Sequence, residues 1–352
     1  MSKKIDFFLK IAKDRNASDL HFTVGSPPII RVNGELSSLD YPPITNEIAS
    51  SVLFELLNED QLDRFERQRD MDFAYMAKGI ARFRVTIFYK ENGVGGVFRL
   101  IPDVIKSLEQ LNLPHMLETF AHLDKGLVLV TGATGSGKTT TLASIIDIIN
   151  RSERKHIVTI EDPIEFVHRS KECQITQREV GIETESFHTA LRAASRQDTD
   201  IILVGEMRDL ETVSMTLSAA ETGLLVFATV HTINAVKTID RVIDVFPEEE
   251  QNHVRYILAQ TLRGILSQQL LPATGGIGRV PAVEIMIGTP AICNVVREGK
   301  THQLTSLIQA GRREGMQTMD QSIVELCRRG LITQDIAYHR IQDKSLLGRA
   351  TA

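Results

Sequence analysis

The chain has 352 residues, of which 42% are hydrophobic and 24% charged, with a formal net charge of −5. This is enough for two domains of ordinary size, and it supplies no global positive field to draw the chain onto nucleic acid. Trp is absent and aromatic residues make up 5%, so the core is expected to be aliphatic. Cys173, Cys293 and Cys327 stand far apart with no CxxC pair, which argues against a disulfide framework or a four-cysteine zinc site. The opening "MSKKIDFFLKIAKDRNASDL" breaks its short apolar stretch with lysines and has no small-residue cleavage site, so it makes a poor signal peptide. No run of about 20 apolar residues occurs, so no membrane span is expected. The bounds describe a reduced, cytoplasmic, globular protein.

The first hundred residues read as α+β. "DLHFTV" and "PIIRVNGEL" alternate around the turn former "GSPP". "NEIASSVLFELL" and "EDQLDRFERQ" have helical spacing, and "MDFAYM" reads as a strand. "IARFRVTIFYK" and "VGGVFRLI" flank "ENG", a hairpin signal. "IPDVIKSLEQLNLP", with Pro102 and Pro114, reads as a linker. The boundaries expected are 1–102 for the first domain, 103–118 for the linker and 119–352 for the second domain. From Leu127 the pattern changes. "LVLVT", "HIVTI", "IILVG" and "LVFATV" are short apolar runs without strict alternation, and helical segments such as "DLETVSMTLSAAE" lie between some of them. Apolar strands alternating with helices predict a parallel sheet covered on both faces. One more strand-like run, "VPAVEIM", follows "FPEEEQNHVRYILAQTLRGILSQQLL". From about residue 287 the chain reads as short helices. In "TMDQSIVELCRRG", Thr318 is placed as a cap and Gly330 as a stop.

Gly132-Ala133-Thr134-Gly135-Ser136-Gly137-Lys138-Thr139 fits G-x-x-x-x-G-K-[ST] in full, after an apolar strand and before a helical run. Glycines let backbone N–H groups turn inward around phosphate oxygens, and the following helix adds the positive end of its dipole. Lys138 can reach the β- and γ-phosphates, and the Thr139 hydroxyl can ligate Mg²⁺. The loop, extended by Thr140, is therefore expected to hold ATP with Mg²⁺.

In a parallel sheet all strands end at one edge, and ligands bind there. "HIVTI" runs into Glu161-Asp162-Pro163, "IILVG" into Glu206 and "LVFATV" into His231. Three acids and an imidazole thus arrive at the edge that carries the phosphate loop. Glu206 is placed to orient or deprotonate the attacking water, and His231 to sense the γ-phosphate. Because position 205 is glycine, metal support is expected largely from Glu161 or Asp162. Thr139, Glu161 and Glu206 are the Mg²⁺ candidates.

In "ARFRVTIFYKENGVGGVFR", Phe83, Val85 and Ile87 alternate with Arg82, Arg84 and Thr86. A four-residue loop from Lys90 to Gly93 sets Arg84 opposite Arg99. A two-residue Asn92-Gly93 turn shifts the register by two and keeps both on one face, whereas an odd-length loop breaks this. Facing like charges destabilise a ladder, so an anion is expected between them. The nucleotide of the other domain or of a neighbouring subunit is the obvious one, and arginines of this kind are worth roughly 10³ to 10⁵ in rate. Arg192, Arg196 and Arg208 are weaker candidates for subunit contacts.

"TGATGSGKTTT", "TIEDPIEF", "TQREVG", "ILVGEMRDLET" and "FATVHT", in that order, resemble the secretion ATPase superfamily of bacterial type II secretion and type IV pili. The resemblance extends to "SDLHF" and "PPIIRVNGEL" near the start, while "VVREGKTHQL" and "GMQTMDQ" near the end are similar to its retraction branch, the PilT/PilU group. The chain lacks the four-cysteine module usual in extension motors. The resemblance implies a PAS-like N-terminal domain, a RecA-like ATPase domain and a homohexamer. It further implies an inner-membrane pilus platform protein as partner, a paralogous retraction ATPase as possible co-partner, and a cytoplasmic place at the pilus machine. It assigns Lys138 and Thr139 to nucleotide and Mg²⁺, Glu161 and Asp162 to the Asp box, Glu206 to the catalytic base and His231 to the His box. It also supports Arg84 and Arg99 as residues reaching the triphosphate. Three positions depart from the family pattern: Leu224 follows Gly223 where a histidine is usual, Cys293 replaces the arginine of "AIR", and Thr199 sits in the usual "DPD".

The expected activity is ATP hydrolysis driving pilus retraction and twitching motility. An accessory retraction ATPase and a weakly hydrolysing, nucleotide-gated scaffold are the alternatives. A nucleic-acid motor is disfavoured by the net acidity and by the lack of an aromatic-basic cluster.

Overall fold

The computed structural model describes residues 3–348 apart from 33, 102–103 and 277. Two compact units result: Met1–Val104 with Pro163–Val167, and Ile105–Asp162 with His168–Ala352. The first unit thus includes a five-residue piece that the chain contributes from within the second.

In the first unit, strands β1 (Asp19–Thr23), β2 (Ile29–Val32), β3 (Glu35–Ser38), β4 (Asp70–Ala77), β5 (Ala81–Lys90) and β6 (Gly93–Ile101) form one sheet in the order β3-β2-β1-β6-β5-β4. Every pairing is antiparallel. Burial in β5 follows the sequence alternation: Ala81, Phe83, Val85 and Ile87 are buried, while Arg82, Arg84 and Thr86 are half-buried. Helices α1 (Asp6–Asp14), α2 (Asn46–Leu53) and α3 (Glu59–Gln68) complete the unit. The Thr45 hydroxyl caps α2 by accepting from Ile48 N–H, and Asn58 with Gln61 forms a capping box on α3. Leu9, Leu20, Leu53, Phe65, Phe83, Val85 and Phe98 belong to the core they close. The β5–β6 hairpin ends on the pair Lys90–Gly93, so Arg84 faces Arg99 directly.

The second unit has strands β7 (Gly126–Thr131), β8 (His156–Glu161), β9 (Gln174–Glu179), β10 (Ile201–Val204), β11 (Leu225–Val230), β12 (Leu262–Pro272) and β13 (Arg279–Ile287), ordered β13-β12-β7-β11-β10-β8-β9. All neighbours run parallel except β12 and β13. Every residue of β7, β10 and β11 is buried, as a sheet covered on both faces requires. Period two divides the strands between two cores. Leu127, Leu129, Val226 and Ala228 pack on one side; Val128, Val130, Leu225 and Phe227 pack on the other. The covering helices in chain order are α4 (Lys138–Ser152), α5 (Phe187–Ala194), α6 (Leu210–Glu221), α7 (Ala235–Asp244) and α8 (Glu248–Thr261). Then come α9 (Pro290–Arg297), α10 (Leu304–Ala310), α11 (Met319–Arg328) and α12 (Gln334–Arg340). Thr318 and Gln321 make a capping box on α11, and Gly330 follows it at φ 69°.

Two strands carry no signal in the apolar runs. The long segment before "VPAVEIM" divides into α8 and β12, and the polar "QITQRE" forms the edge strand β9. The stretch 103–118, read as a linker, buries Leu108, Leu113 and Leu117 against Val128, Leu142 and Ile146. No helix among the described residues is long and apolar enough to cross a membrane.

Candidate nucleotide site

Strand β7 ends at Thr131, and the chain turns through the glycine loop into α4. The loop is shaped by what lies behind it. A Cβ on Gly132 would stand 2.2 Å from the Gln268 carbonyl oxygen and 2.6 Å from Ser136 Oγ. Gly137 caps α4 at φ 89°, and a Cβ there would stand 2.7 Å from Gln268 Nε2. Both positions therefore exclude any side chain. Lys138 is buried, and its ammonium donates to the carbonyls of Gly132 (2.8 Å) and Ala133 (3.1 Å). Thr139 and Thr140 are half-buried in the first helical turn. The Ser136 hydroxyl is buried with no partner among the described residues. A helix N-terminus, an ammonium and a spare hydroxyl at a close-packed glycine loop suit a polyphosphate.

The sheet order sets the next layer. One strand, β11, separates the loop strand β7 from β10, so groups at the end of β10 lie about 10 Å from the loop strand, twice the strand spacing. His231, just past β11, stands in the interval. Its Nδ1 is 3.5 Å from Lys138 Nζ and its Nε2 is 3.0 Å from Glu206 Oε1. An ammonium only donates, so Nδ1 must accept and Nε2 must carry the proton. Arg208 Nε donates to the same carboxylate oxygen at 2.5 Å. Burial and the Lys138 charge hold the imidazole below its ordinary pKa, against the pull of Glu206, so it is neutral near pH 7. Burial pushes the Glu206 carboxyl up, but Arg208, His231 and Lys138 outweigh it and hold the group below the usual carboxylate range. With the imidazole neutral, Arg208 and Lys138 carry that effect.

Glu161 is the last residue of β8 and is buried. Its Oε1 accepts from Thr159 Oγ1 (2.7 Å) and Gln177 Nε2 (3.1 Å). Gln177 Oε1 in turn accepts from His168 N–H at 2.7 Å. Asp162 is exposed, and its charge acts on Arg208, whose guanidinium Glu206 chiefly stabilises. Among the described residues no group of three or more His, Cys, Asp or Glu side chains could hold a metal ion. The residues present fit the mode in which Mg²⁺ takes one or two protein oxygens and fills its shell with phosphate and water.

The hairpin arginines lie in the first unit with carboxylates already beside them. Arg99 Nε donates to Asp19 Oδ1 at 2.9 Å, and Asp19 is its direct cross-strand partner. Arg84 reaches Asp72 Oδ2 at 3.2 Å and Glu165 Oε1 at 3.6 Å. The repulsion between Arg84 and Arg99 is thus relieved by acids of the same unit, and a nucleotide is not needed for that purpose. This corrects the argument that the facing pair demands an outside anion. Of the arginines considered for subunit contacts, Arg208 pairs with Glu206, and Arg192 and Arg196 are exposed.

Three contacts were not assigned from the sequence, although Gln177, Thr131 and Thr232 lie within the quoted motifs and only Gln268 stands outside them. Gln268 on β12 touches the loop by side chain and backbone. Gln177 on β9 braces Glu161. Thr131 and Thr232 tie the end of β7 to the segment after His231, with the Thr131 hydroxyl donating to Thr232 O at 2.7 Å. All three are pairings through space with no fixed spacing along the chain. Of the departures, Leu224 and Cys293 are half-buried against the main core, so apolar packing occupies both places.

Comparison with known proteins identifies the family. A family described as "Type II/IV secretion system protein" matches residues 2–338. The chain is 49% identical over 329 residues to the type IV pilus retraction ATPase PilT of Pseudomonas aeruginosa, covering 94% of this chain and 95% of that one. It is 40% identical to the type IV pilus ATPase PilU of the same organism, covering 94% and 86%. The crystal structure of the pilus retraction motor PilT with bound ADP superimposes with a TM-score of 0.90 at 44% identity, over 99% of this chain and all of that one. The chain belongs to the type II/IV secretion system protein family.

Proposed function

We propose that this chain is the ATP-hydrolysing subunit of a hexameric motor that retracts type IV pili and so drives twitching motility. The line from Lys138 through His231 to Glu206 carries the reading, because it runs from a phosphate-binding ammonium to a carboxylate suited to orient water. In this reading the first unit is PAS-like and the second RecA-like. The ring works from the cytoplasm against an inner-membrane platform protein, with a paralogous ATPase as possible co-partner. The higher identity to PilT than to PilU favours the principal motor over the accessory one.

In the mechanism, Lys138 exchanges the Gly132 and Ala133 carbonyls for β- and γ-phosphate oxygens, and the α4 N-terminus holds the remaining charge. Thr139, with Glu161 or Glu206 as the supporting acid, would hold Mg²⁺, which would neutralise charge on the phosphates. Glu206 orients the attacking water and accepts its proton. His231 keeps the carboxylate aimed by donating from Nε2, and it senses the γ-phosphate through Lys138, whose ammonium its Nδ1 accepts from. Arg84 and Arg99 exchange Asp72 and Asp19 for the triphosphate of this or a neighbouring subunit, so ATP and ADP are bound differently. Deleting the gene and scoring piliation is the test. Excess, non-retracting pili that a wild-type copy corrects, and a Lys138→Ala copy does not, are expected. Normal retraction with weakened force would assign the accessory role instead, and correction by Lys138→Ala would sink the motor reading.

A further inference from the structure

We infer that Gln268 is a positioning residue for the phosphate loop, and that its side-chain amide sets which way the Ser136–Gly137 peptide faces. Gln268 is buried on β12, the strand beside the loop strand. Its Nε2 donates to the Ser136 carbonyl at 2.8 Å, and its Oε1 accepts from Thr141 Oγ1 at 2.8 Å. The amide orientation is forced. A carbonyl needs a donor, so Nε2 must face Ser136, and the Thr141 hydroxyl then donates to Oε1.

The consequence follows from peptide geometry. In a planar trans peptide the C=O and the next N–H point in opposite directions. With the Ser136 carbonyl drawn toward β12, the Gly137 N–H points away from that strand. The N–H groups at this end of the loop are among those an anion would use. The opposite peptide orientation would aim a carbonyl oxygen at the anion and repel it. The other Gln268 bond reaches Thr141, in the first turn of α4, whose own N–H bonds Gly137 O at 3.0 Å. One amide therefore clamps the last peptide of the loop to the first turn of the helix. The same strand position limits both glycines: a Cβ at Gly132 would meet the Gln268 backbone carbonyl, and one at Gly137 its side-chain amide.

This inference rests on the loop binding a nucleotide, and the test separates the two. ADP affinity of the full chain is measured by fluorescence titration for wild type and Gln268→Glu. A glutamate has the same shape, but ionised it sets an oxygen against the Ser136 carbonyl. Kd is expected to rise at least about tenfold over wild type near pH 8, with a smaller change in kcat than in KM. A buried glutamate has a raised pKa, and once protonated it regains a donor. The Kd ratio of variant to wild type is therefore expected to fall below about threefold near pH 5.5. General loosening of the fold would not produce that recovery. Should Gln268→Glu not fold, Gln268→Met is measured instead and is expected to show the loss at both pH values without recovery. Wild-type ADP affinity in either folded variant, or a loss in Gln268→Glu that does not recover, overturns the inference. Failure of the wild-type chain to bind ADP overturns the nucleotide reading itself.

Discussion

Glu206→Gln separates chemistry from binding. The substitution keeps the side chain's length and its ability to accept from His231 Nε2, now at 3.0 Å, but it removes the charge and the basicity. A positioned general base contributes about 10² to 10⁴ in rate, or roughly 3 to 5 kcal/mol of barrier. Stability should change little. The Arg208 side chain that pairs with Glu206 is 72% exposed, and solvent-screened pairs of that kind are worth about 1 kcal/mol or less. Nucleotide affinity should hold or tighten slightly, since a negative charge near the phosphates is lost while Lys138 keeps its place. Phosphate release at saturating Mg-ATP, ADP titration and a thermal melt read the three quantities on one preparation. Turnover within about threefold of wild type, with affinity and melting unchanged, would refute Glu206 as the group that activates water.

Arg84→Ala should leave ADP binding measurable and cut turnover at least about tenfold, as measured by phosphate release; unchanged turnover would leave Arg84 a partner of Asp72 and Glu165 only. Gly132→Ala should abolish ADP binding, because its Cβ would stand 2.2 Å from a backbone oxygen that cannot yield, and a variant with wild-type affinity in a titration would refute the close-packed loop. His168 has its Nδ1 buried without a partner among the described residues, and burial pulls its pKa down from the ordinary 6.5 to about 4. The unfolded chain therefore takes up a proton below about pH 6.5 that the folded chain refuses until about pH 4, so stability is full above this window and falls through it. Wild type should lose about 2 kcal/mol more than His168→Gln between pH 7.5 and 5. Parallel denaturation curves of the two at both pH values check it, and equal losses would refute the buried neutral imidazole.

The loop, its lysine and the residues that follow three strands were legible because a parallel sheet delivers its strand ends to one edge. Knowing where a strand stops is then enough to place Glu161, Glu206 and His231. Of the registers the hairpin sequence left open, the one that sets Arg84 opposite Arg99 is found; loop length fixes pairing, and the sequence did not decide the loop length. The acids beside these arginines were not legible. Asp19 pairs with Arg99 across 80 residues of chain, and Asp72 lies diagonally from Arg84 on a strand whose register no turn announces. Strand β12 was hidden because Ser267, Gln268 and Gln269 interrupt its apolar pattern, and two of these polar residues are buried for a reason: Gln268 serves the loop and Ser267 donates to Glu284. Strand β9 was hidden because an edge strand needs no apolar run, yet its Gln177 braces the Asp box.

Each hairpin arginine enters any reaction with a carboxylate of its own sheet already in hand. Engaging a phosphate is then a trade of one anion for another, and the net gain is the difference between two similar attractions. In the proposed cycle, Asp72 and Asp19 would reclaim their guanidinium groups when the phosphate charge falls, which would hasten the departure of spent nucleotide. For a machine that must cycle many times, quick release is worth more than a firm hold.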